Sequence, residues 1–359
     1  MKKITPTIIL TVLIYMLLII IWADDISQYV LCSLNSCINV IIPSMYIFMI
    51  ISDFLITSNI FFLFGKPFSL IARYIFRIPE KLFSIFLISS VGGYPIGAKL
   101  ISDLYKADKI DKSTAENMMT YCYLSGPAFI GGTVGVELFS DINTGILIFI
   151  SILTVNLIIA VFTSFNRNIP QYEKNCIKCE MQITDLISSI YNGGKNMFSI
   201  CTVIIFFSSL ICIAEKSGVI KYIAKFIDDY TPINLINGIA IVKSVSEISN
   251  ILLFEPDFKL LPIITALLSF GGICVIIQIR SILPTQLSIK KFIIFRIISI
   301  PLSYYICKLY ILLFFKEYIS VYSPAKISHS QNSPILTLFL LIMTILFLLK
   351  FSIEKKRKT

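Results

Sequence analysis

Uncharged apolar blocks of about 16 to 24 residues recur along this chain of 359 residues, and the clearest covers residues 142–165. A helix that crosses the hydrocarbon core of a bilayer needs about 20 consecutive apolar residues. Hydrophobic residues make up 56% of the chain and charged residues only 14%, whereas soluble domains carry about 25% charged residues. The pattern predicts an all-α polytopic membrane protein and excludes an ordinary soluble enzyme.

The apolar blocks predict about ten transmembrane segments. Lysines before the first block and a basic tail after the last one predict that both termini are cytoplasmic. Residues 59–78 are apolar but carry three basic side chains, so we expect a helix in the membrane interface there. A polar linker, residues 166–182, separates residues 1–165 (an amino-terminal helix plus a first repeat) from residues 183–359 (a second repeat and a terminal helix). The ten predicted spans are residues 4–22, 38–56, 82–105, 117–135, 142–165, 196–214, 233–254, 259–280, 292–315 and 334–349.

The net charge of +10 is spread over the ends of the apolar blocks, which favours topology determinants over a nucleic-acid surface. Cys176 and Cys179 form an isolated Cys-x-x-Cys pair, and His329 is the single histidine. Zinc sites need further ligands, so we predict neither a metal nor a cofactor. The scarcity of His and of clustered Asp or Cys also argues against a membrane enzyme.

Two glycine pairs point to an internal repeat. Gly92-Gly93 and Gly271-Gly272 are 179 residues apart, and at the same offset Lys99 corresponds to Gln278. Duplicated halves with glycine-interrupted segments are a pointer to a transporter binding site, because unwound backbone at membrane depth occurs beside a cavity. The pattern predicts two pseudo-symmetric, inverted repeats with broken or re-entrant helices.

The first glycine pair belongs to a cluster that could form an anion site. Gly97 adds backbone freedom, and Pro95 breaks the helix ladder. A half-helix that begins near Pro95 would direct its amides at a solute, with Lys99 one turn inside. The alternative is that these glycines only allow close packing of helices in lipid.

Two further groups are candidates. Ser125-Gly126-Pro127 can end one helix and start another with Ser125 as the cap and free amides beside it, although an ordinary helix boundary explains it equally well. Lys243 and Glu247 lie four residues apart and could pair. Glu247 could instead carry a coupling proton or cation, since ionisable residues at membrane depth are functional candidates.

The motifs over residues 93–99, 124–130 and 269–278, in this order and spacing, resemble those of nucleoside-recognition (Gate) domain membrane proteins. The likeness is greatest to the YlbJ-type sporulation integral membrane proteins and extends over residues 38–308. The sequence departs from the family pattern at two places: the usual Ser-Val-His-x-Gln is Cys-Val-Ile-Ile-Gln at residues 274–278, and the usual Glu-x-x-x-Gly is Glu-Ile-Ser-Asn-Ile at residues 247–251. The resemblance implies a fold like that of concentrative nucleoside transporters. It also implies transport of dipicolinic acid, a pyridine dicarboxylate, across a forespore membrane.

The leading hypothesis is therefore a transporter of a small anionic solute in the cell membrane or forespore membrane of an endospore-forming bacterium. The alternatives are a transporter of nucleoside-type solutes and a structural membrane subunit needed for spore formation. The expected partners are the solute, the lipid bilayer and a coupling proton or cation, but not nucleic acid. The predicted solute-binding residues are Gly92, Gly93, Tyr94, Pro95, Gly97, Lys99, Ser125, Gly126, Pro127, Gly271, Gly272 and Gln278, and the predicted coupling or ion-pair residues are Lys243, Glu247 and Asn250.

Overall fold

The computed structural model describes residues 6–58, 60–74, 76–164 and 182–314, and within these ranges it consists of helices and their connections without a strand. All of them belong to one compact unit. The predicted linker, the Cys176/Cys179 pair and the last predicted span lie outside the described residues, apart from Gln182 at the end of the linker. The helices are α1 (Pro6–Ile21), α2 (Ala23–Ser36), α3 (Ile42–Thr57), α4 (Ser69–Tyr74), α5 (Glu80–Gly92), α6 (Ile96–Lys106), α7 (Lys112–Tyr121), α8 (Ile142–Ser164), α9 (Ile183–Lys216), α10 (Val219–Tyr230), α11 (Leu235–Ser246), α12 (Leu261–Phe270), α13 (Gly272–Ile282) and α14 (Lys290–Phe314).

Five helical stretches among the described residues are long and apolar enough to cross a membrane. Helix α8 has 23 residues, about 34 Å at 1.5 Å per residue, which exceeds the hydrocarbon core of about 30 Å. Large apolar side chains such as Phe162 and Phe198 point outward, as a lipid-facing surface requires. The chain is a polytopic helical membrane protein, and the total of ten spans stays a prediction. The five stretches are Ala23–Thr57, Ile142–Ser164, Ile183–Lys216, Phe258–Ile282 and Lys290–Phe314.

The predicted interface helix over residues 59–78 does not form as one element. The chain instead makes two 3-10 turns, Phe61–Phe64 and Lys66–Phe68, followed by the six-residue helix α4. Gly65 lies so close to α5 that a Cβ there would be 2.0 Å from the Glu80 carbonyl oxygen, and Pro67 cannot donate to a continuous helix ladder. Packing of this segment against α5 therefore overrides its amphipathic pattern.

The predicted span 38–56 is part of a longer helical stretch that begins at Ala23. Its two halves, α2 and α3, are joined by a π-helical turn, Cys37–Ile41. Pro43 follows this turn at the start of α3 and lacks the amide that would continue a regular ladder. Asp24 and Asp25, which follow the predicted span 4–22, lie in the first turn of α2, where a negative charge is favourable.

Helix breaks occur at all three predicted positions. The first break (residues 93–95) separates α5 from α6. The second break (residues 122–126) separates α7 from a helical segment that starts at Pro127 and continues as a π-helix, Phe129–Leu138. Another break at Gly271 separates α12 from α13. A further break at Glu247 ends α11 before a 3-10 helix, Ile248–Leu253. In chain order, the Glu247 break is the third and the Gly271 break is the fourth.

Candidate functional site

The four helix breaks meet inside the bundle. The Tyr94 amide of the first break donates to the Leu124 carbonyl of the second at 2.7 Å. The Tyr123 hydroxyl of the second break donates to the Phe270 carbonyl at the fourth, at 3.1 Å. A Cβ on Gly272 would lie 3.3 Å from the Ile248 amide nitrogen, beside the third break. Residues far apart in sequence therefore bring their irregular backbone to one place.

A pocket of about 610 Å³, including its mouth, opens at this meeting point. One wall comes from α3 and α9, and the other comes from the helix breaks and α13. Most of the wall is apolar, and its buried polar groups are the Tyr94 and Ser125 hydroxyls, the Glu247 carboxyl and the Gln278 amide. A largely apolar cavity with a few convergent polar groups is typical of a small-molecule site.

The predicted site residues fall into three groups. Six of them line the pocket: Gly92, Tyr94, Ser125, Gly126, Glu247 and Gln278. Another six lie in or next to the helix breaks without lining the pocket: Gly93, Pro95, Gly97, Pro127, Gly271 and Gly272. The remaining three, Lys99, Lys243 and Asn250, do not line the pocket.

Lys99 lies one turn inside α6, as predicted, but it is not a free cation. Its ammonium group pairs with the Asp53 carboxylate of α3, whose other oxygen accepts a hydrogen bond from the Asn192 amide of α9 at 3.1 Å. Asp53 is 5% exposed and the Lys99 side chain is 15% exposed, so the carboxylate is buried and the ammonium group is partly buried. Lys99 therefore joins α3, α6 and α9 beside the pocket.

The predicted pair of Lys243 with Glu247 does not form. Lys243 instead bonds to the Glu215 carboxylate at 2.6 Å, and the Tyr29 hydroxyl also donates to that carboxylate. Because α11 ends at Ser246, the helical spacing of four residues that would join the two side chains is lost.

Glu247 is 5% exposed and forms no ion pair among the described residues. Its carboxylate accepts hydrogen bonds from the backbone amide of Ser249 at 3.0 Å, from the Ser249 hydroxyl and from the side-chain amide of Asn250 at 3.1 Å. Asn250 is thus a direct partner of Glu247. The Glu247 carboxyl thus lies at the pocket wall with neutral hydrogen-bond donors around it.

Ser125 does not cap a helix. Its hydroxyl donates to the Tyr94 hydroxyl at 2.7 Å, while Pro127 occupies the first turn of the following helix as predicted. The Ser125 and Gly126 amides form no backbone hydrogen bond among the described residues. Both residues line the pocket, at the positive end of a helix that begins at Pro127.

Sequence reasoning did not identify the opposite wall. Ser44, Met45 and Phe48 follow helical spacing along α3, and Ile41 precedes them at the end of the π-helical turn, but periodicity is invisible in a segment that is apolar all round. It also missed Arg296, although an arginine inside an apolar block was the available signal. Among the described residues, no group of three His, Cys, Asp or Glu side chains is placed to hold a metal ion.

No protein-family model matches the chain, and no solved structure matches it. A region of 109 residues, 30% of the chain, is 33% identical to the sporulation integral membrane protein YlbJ of Bacillus subtilis (strain 168). The match spans 27% of the length of that relative. The chain is thus a multi-pass membrane protein that is similar over part of its length to an integral membrane protein of sporulation.

Proposed function

We propose that this protein transports a small planar solute across a membrane of the sporulating cell, and that dipicolinic acid is the solute. The observation that carries the proposal is the pocket at which four helix breaks meet. Irregular backbone is tolerated at membrane depth where it lines a cavity, and transporters place their substrate sites at such discontinuous helices. The partial match to a sporulation membrane protein supports the cellular context.

The proposed transporter is built from two repeats, and helix positions support this. Shifted by 179 residues, α5 (Glu80–Gly92) falls on residues 259–271, where α12 (Leu261–Phe270) lies. The same shift brings α6 over α13 and α7 into α14. Corresponding helices also contact each other, since α6 packs on α13 and α7 on α14. Contacts between equivalent elements are expected of an approximate twofold axis.

The polar groups of the pocket suit a planar ring with carbonyl or carboxyl oxygens. The Ser125 and Gly126 amides supply donors at a helix N-terminus, the Gln278 amide supplies another, and the Tyr94 ring supplies a flat wall. Among the described lining residues there is no Lys or Arg. A dicarboxylate would therefore meet the Glu247 carboxyl without a compensating cation, which is unfavourable unless Glu247 is protonated. We propose that Glu247 carries a coupling proton.

A nucleoside-type solute is the second candidate, and the same carboxyl favours it. Glu247 and Gln278 together offer acceptors and donors that fit the hydroxyl and amide groups of a neutral nucleoside. A structural subunit without transport activity would have no need of a pocket lined by a buried carboxyl.

Reconstitution into liposomes tests the proposal. With an inward proton gradient, we expect the protein to accumulate radiolabelled dipicolinate well above protein-free liposomes and above uridine measured in parallel. A protonophore should abolish the accumulation, because it dissipates the proton gradient that drives it. The matched variant is Glu247→Gln, which keeps the shape and removes the ionisable group.

Glu247→Gln is expected to exchange dipicolinate without accumulating it. If uridine uptake exceeds dipicolinate uptake, the transported solute is of the nucleoside type and not dipicolinic acid. Absence of uptake of either solute by folded, correctly inserted protein would reject transport and leave the structural subunit.

A further inference from the structure

An arginine is completely buried in the bundle. Arg296 lies in the second turn of α14 and has 0% exposure. Its side chain forms no ion pair with a carboxylate among the described residues. Long basic side chains in membrane helices usually extend to the interface, and a buried charge without a partner is costly, so this position needs a specific stabilisation.

Both terminal nitrogens of the guanidinium have oxygen acceptors, whereas Nε has no hydrogen-bond partner among the described residues. One terminal nitrogen donates to the Thr120 carbonyl at 2.5 Å and to the Asn156 side-chain oxygen at 3.1 Å. The other donates to the Tyr123 carbonyl at 3.4 Å and to the Ser269 carbonyl at 3.3 Å. The planar fork of arginine can reach several acceptors at once, which a lysine ammonium cannot do at these separated positions.

Three of the four acceptors lie where helices end. Thr120 lies in the last turn of α7, Tyr123 follows in the second break, and Ser269 lies in the last turn of α12. Each helix C-terminus carries a partial charge of about −0.5, so two of them together offset about one positive charge. The carbonyls at these ends have no partner further along their own helices. Arg296 therefore satisfies both helix ends, and they stabilise its charge.

A stack of planar groups connects Arg296 to the pocket. The guanidinium carbon lies 4.8 Å from the centre of the Tyr123 ring, and the Tyr123 ring stacks on the Tyr94 ring at 4.9 Å with an interplanar angle of 19°. Tyr94 lines the pocket. The contacts run without interruption from the helix ends to the pocket wall.

We infer that Arg296 is the positioning residue of the pocket. It holds the C-terminal ends of the helices before the second and fourth breaks together, and it fixes the Tyr123 and Tyr94 rings that form one wall. The wall formed by α3 is outside its contacts. Loss of the fork should loosen the wall of the helix breaks and leave the α3 wall in place.

Two cysteine reporters separate these walls in a variant that lacks the nine native cysteines. Ala128→Cys reports on the wall of the helix breaks, and Ser44→Cys reports on the α3 wall; both positions line the pocket and are partly exposed. The readout is the rate of reaction with a small aqueous methanethiosulfonate. We expect Arg296→Lys to accelerate the reaction at Ala128→Cys by about tenfold, equivalent to about 1.4 kcal/mol, and to leave the rate at Ser44→Cys unchanged.

Two further variants complete the test. Asn156→Ala keeps the arginine and removes one acceptor, so it should also accelerate the reaction at Ala128→Cys, but less strongly. This variant keeps the test possible if Arg296→Lys does not fold. Ser303→Ala is the matched control on α14, since its hydroxyl bonds only within that helix. Equal acceleration at both reporters, or no acceleration at Ala128→Cys in the folded variants, would overturn the inference. The importance of this wall for uptake rests on the proposed function, but the labelling test needs no transport. Liposomes that take up no solute would reject the proposed function and leave the labelling test valid.

Discussion

Gly93→Ala is expected to eliminate most of the folded protein. Gly93 has φ 76° and ψ 177°, a region that is essentially restricted to glycine, and a side chain there costs about 1–3 kcal/mol. A Cβ would also lie 2.6 Å from the Gly126 amide nitrogen. Because this neighbour is backbone, it cannot rotate away, and overpacking adds about 1–3 kcal/mol more. The measurement is the yield and Tm of the detergent-solubilised protein.

Two other glycines separate the contributions. Gly218 has φ 80°, and no atom lies within 4 Å of the point that a Cβ would occupy, so Gly218→Ala should show the cost of backbone strain alone. Gly194 lies in α9 with the same open space and no positive φ, and Gly194→Ala should be neutral or slightly stabilising. A Gly93→Ala protein as stable as the Gly218→Ala protein would show that the contact between the first and second breaks is not tight.

Lys99→Ala is expected to destabilise the protein strongly, because it leaves the Asp53 carboxylate buried without its cation. Removing one partner of a buried ion pair costs about 3–5 kcal/mol. The double variant Asp53→Asn, Lys99→Met removes both charges and should recover most of the lost stability, since neutral replacements of a buried pair are often tolerated. Thermal unfolding of the unmodified protein, of Lys99→Ala and of the double variant measures the effect.

Lys106→Ala is the control, because Lys106 lies exposed on the same helix and surface substitutions change stability by about 0.5 kcal/mol or less. If Lys99→Ala folds as well as Lys106→Ala but loses solute affinity, the expectation from the sequence is right and Lys99 binds the solute directly.

The sequence predicted the helix breaks because their cause is local. Gly93 and Pro95 interrupt a helix through their own backbone properties, and the same holds for Pro127 and Gly271. The break at Glu247 was missed because no glycine or proline marks it. The sequence pattern predicts a continuous helix through this residue, and the predicted pair with Lys243 depends on that continuity.

Partners from distant helices could not be predicted. The sequence predicts a solute contact for Lys99 because its counter-ion, Asp53, lies 46 residues earlier in a segment that has the pattern of an ordinary span. The residue type marks Arg296 as unusual in an apolar block, but its partners include backbone carbonyls at helix ends, which leave no trace in residue identities. Local chemistry is therefore visible in this sequence, whereas the choice of partner is a property of the packed bundle.

The most direct test of the central claim, that the solute passes through this pocket, is modification of a single cysteine during uptake. Ala128→Cys, in the variant without native cysteines, is reconstituted and treated with a small aqueous thiol reagent, with Lys106→Cys as the exposed control. We expect modification at Ala128→Cys to stop dipicolinate uptake, and we expect saturating dipicolinate to slow this modification. Modified Lys106→Cys protein should transport dipicolinate normally. Complete modification at Ala128→Cys with undiminished uptake would show that the solute takes another path.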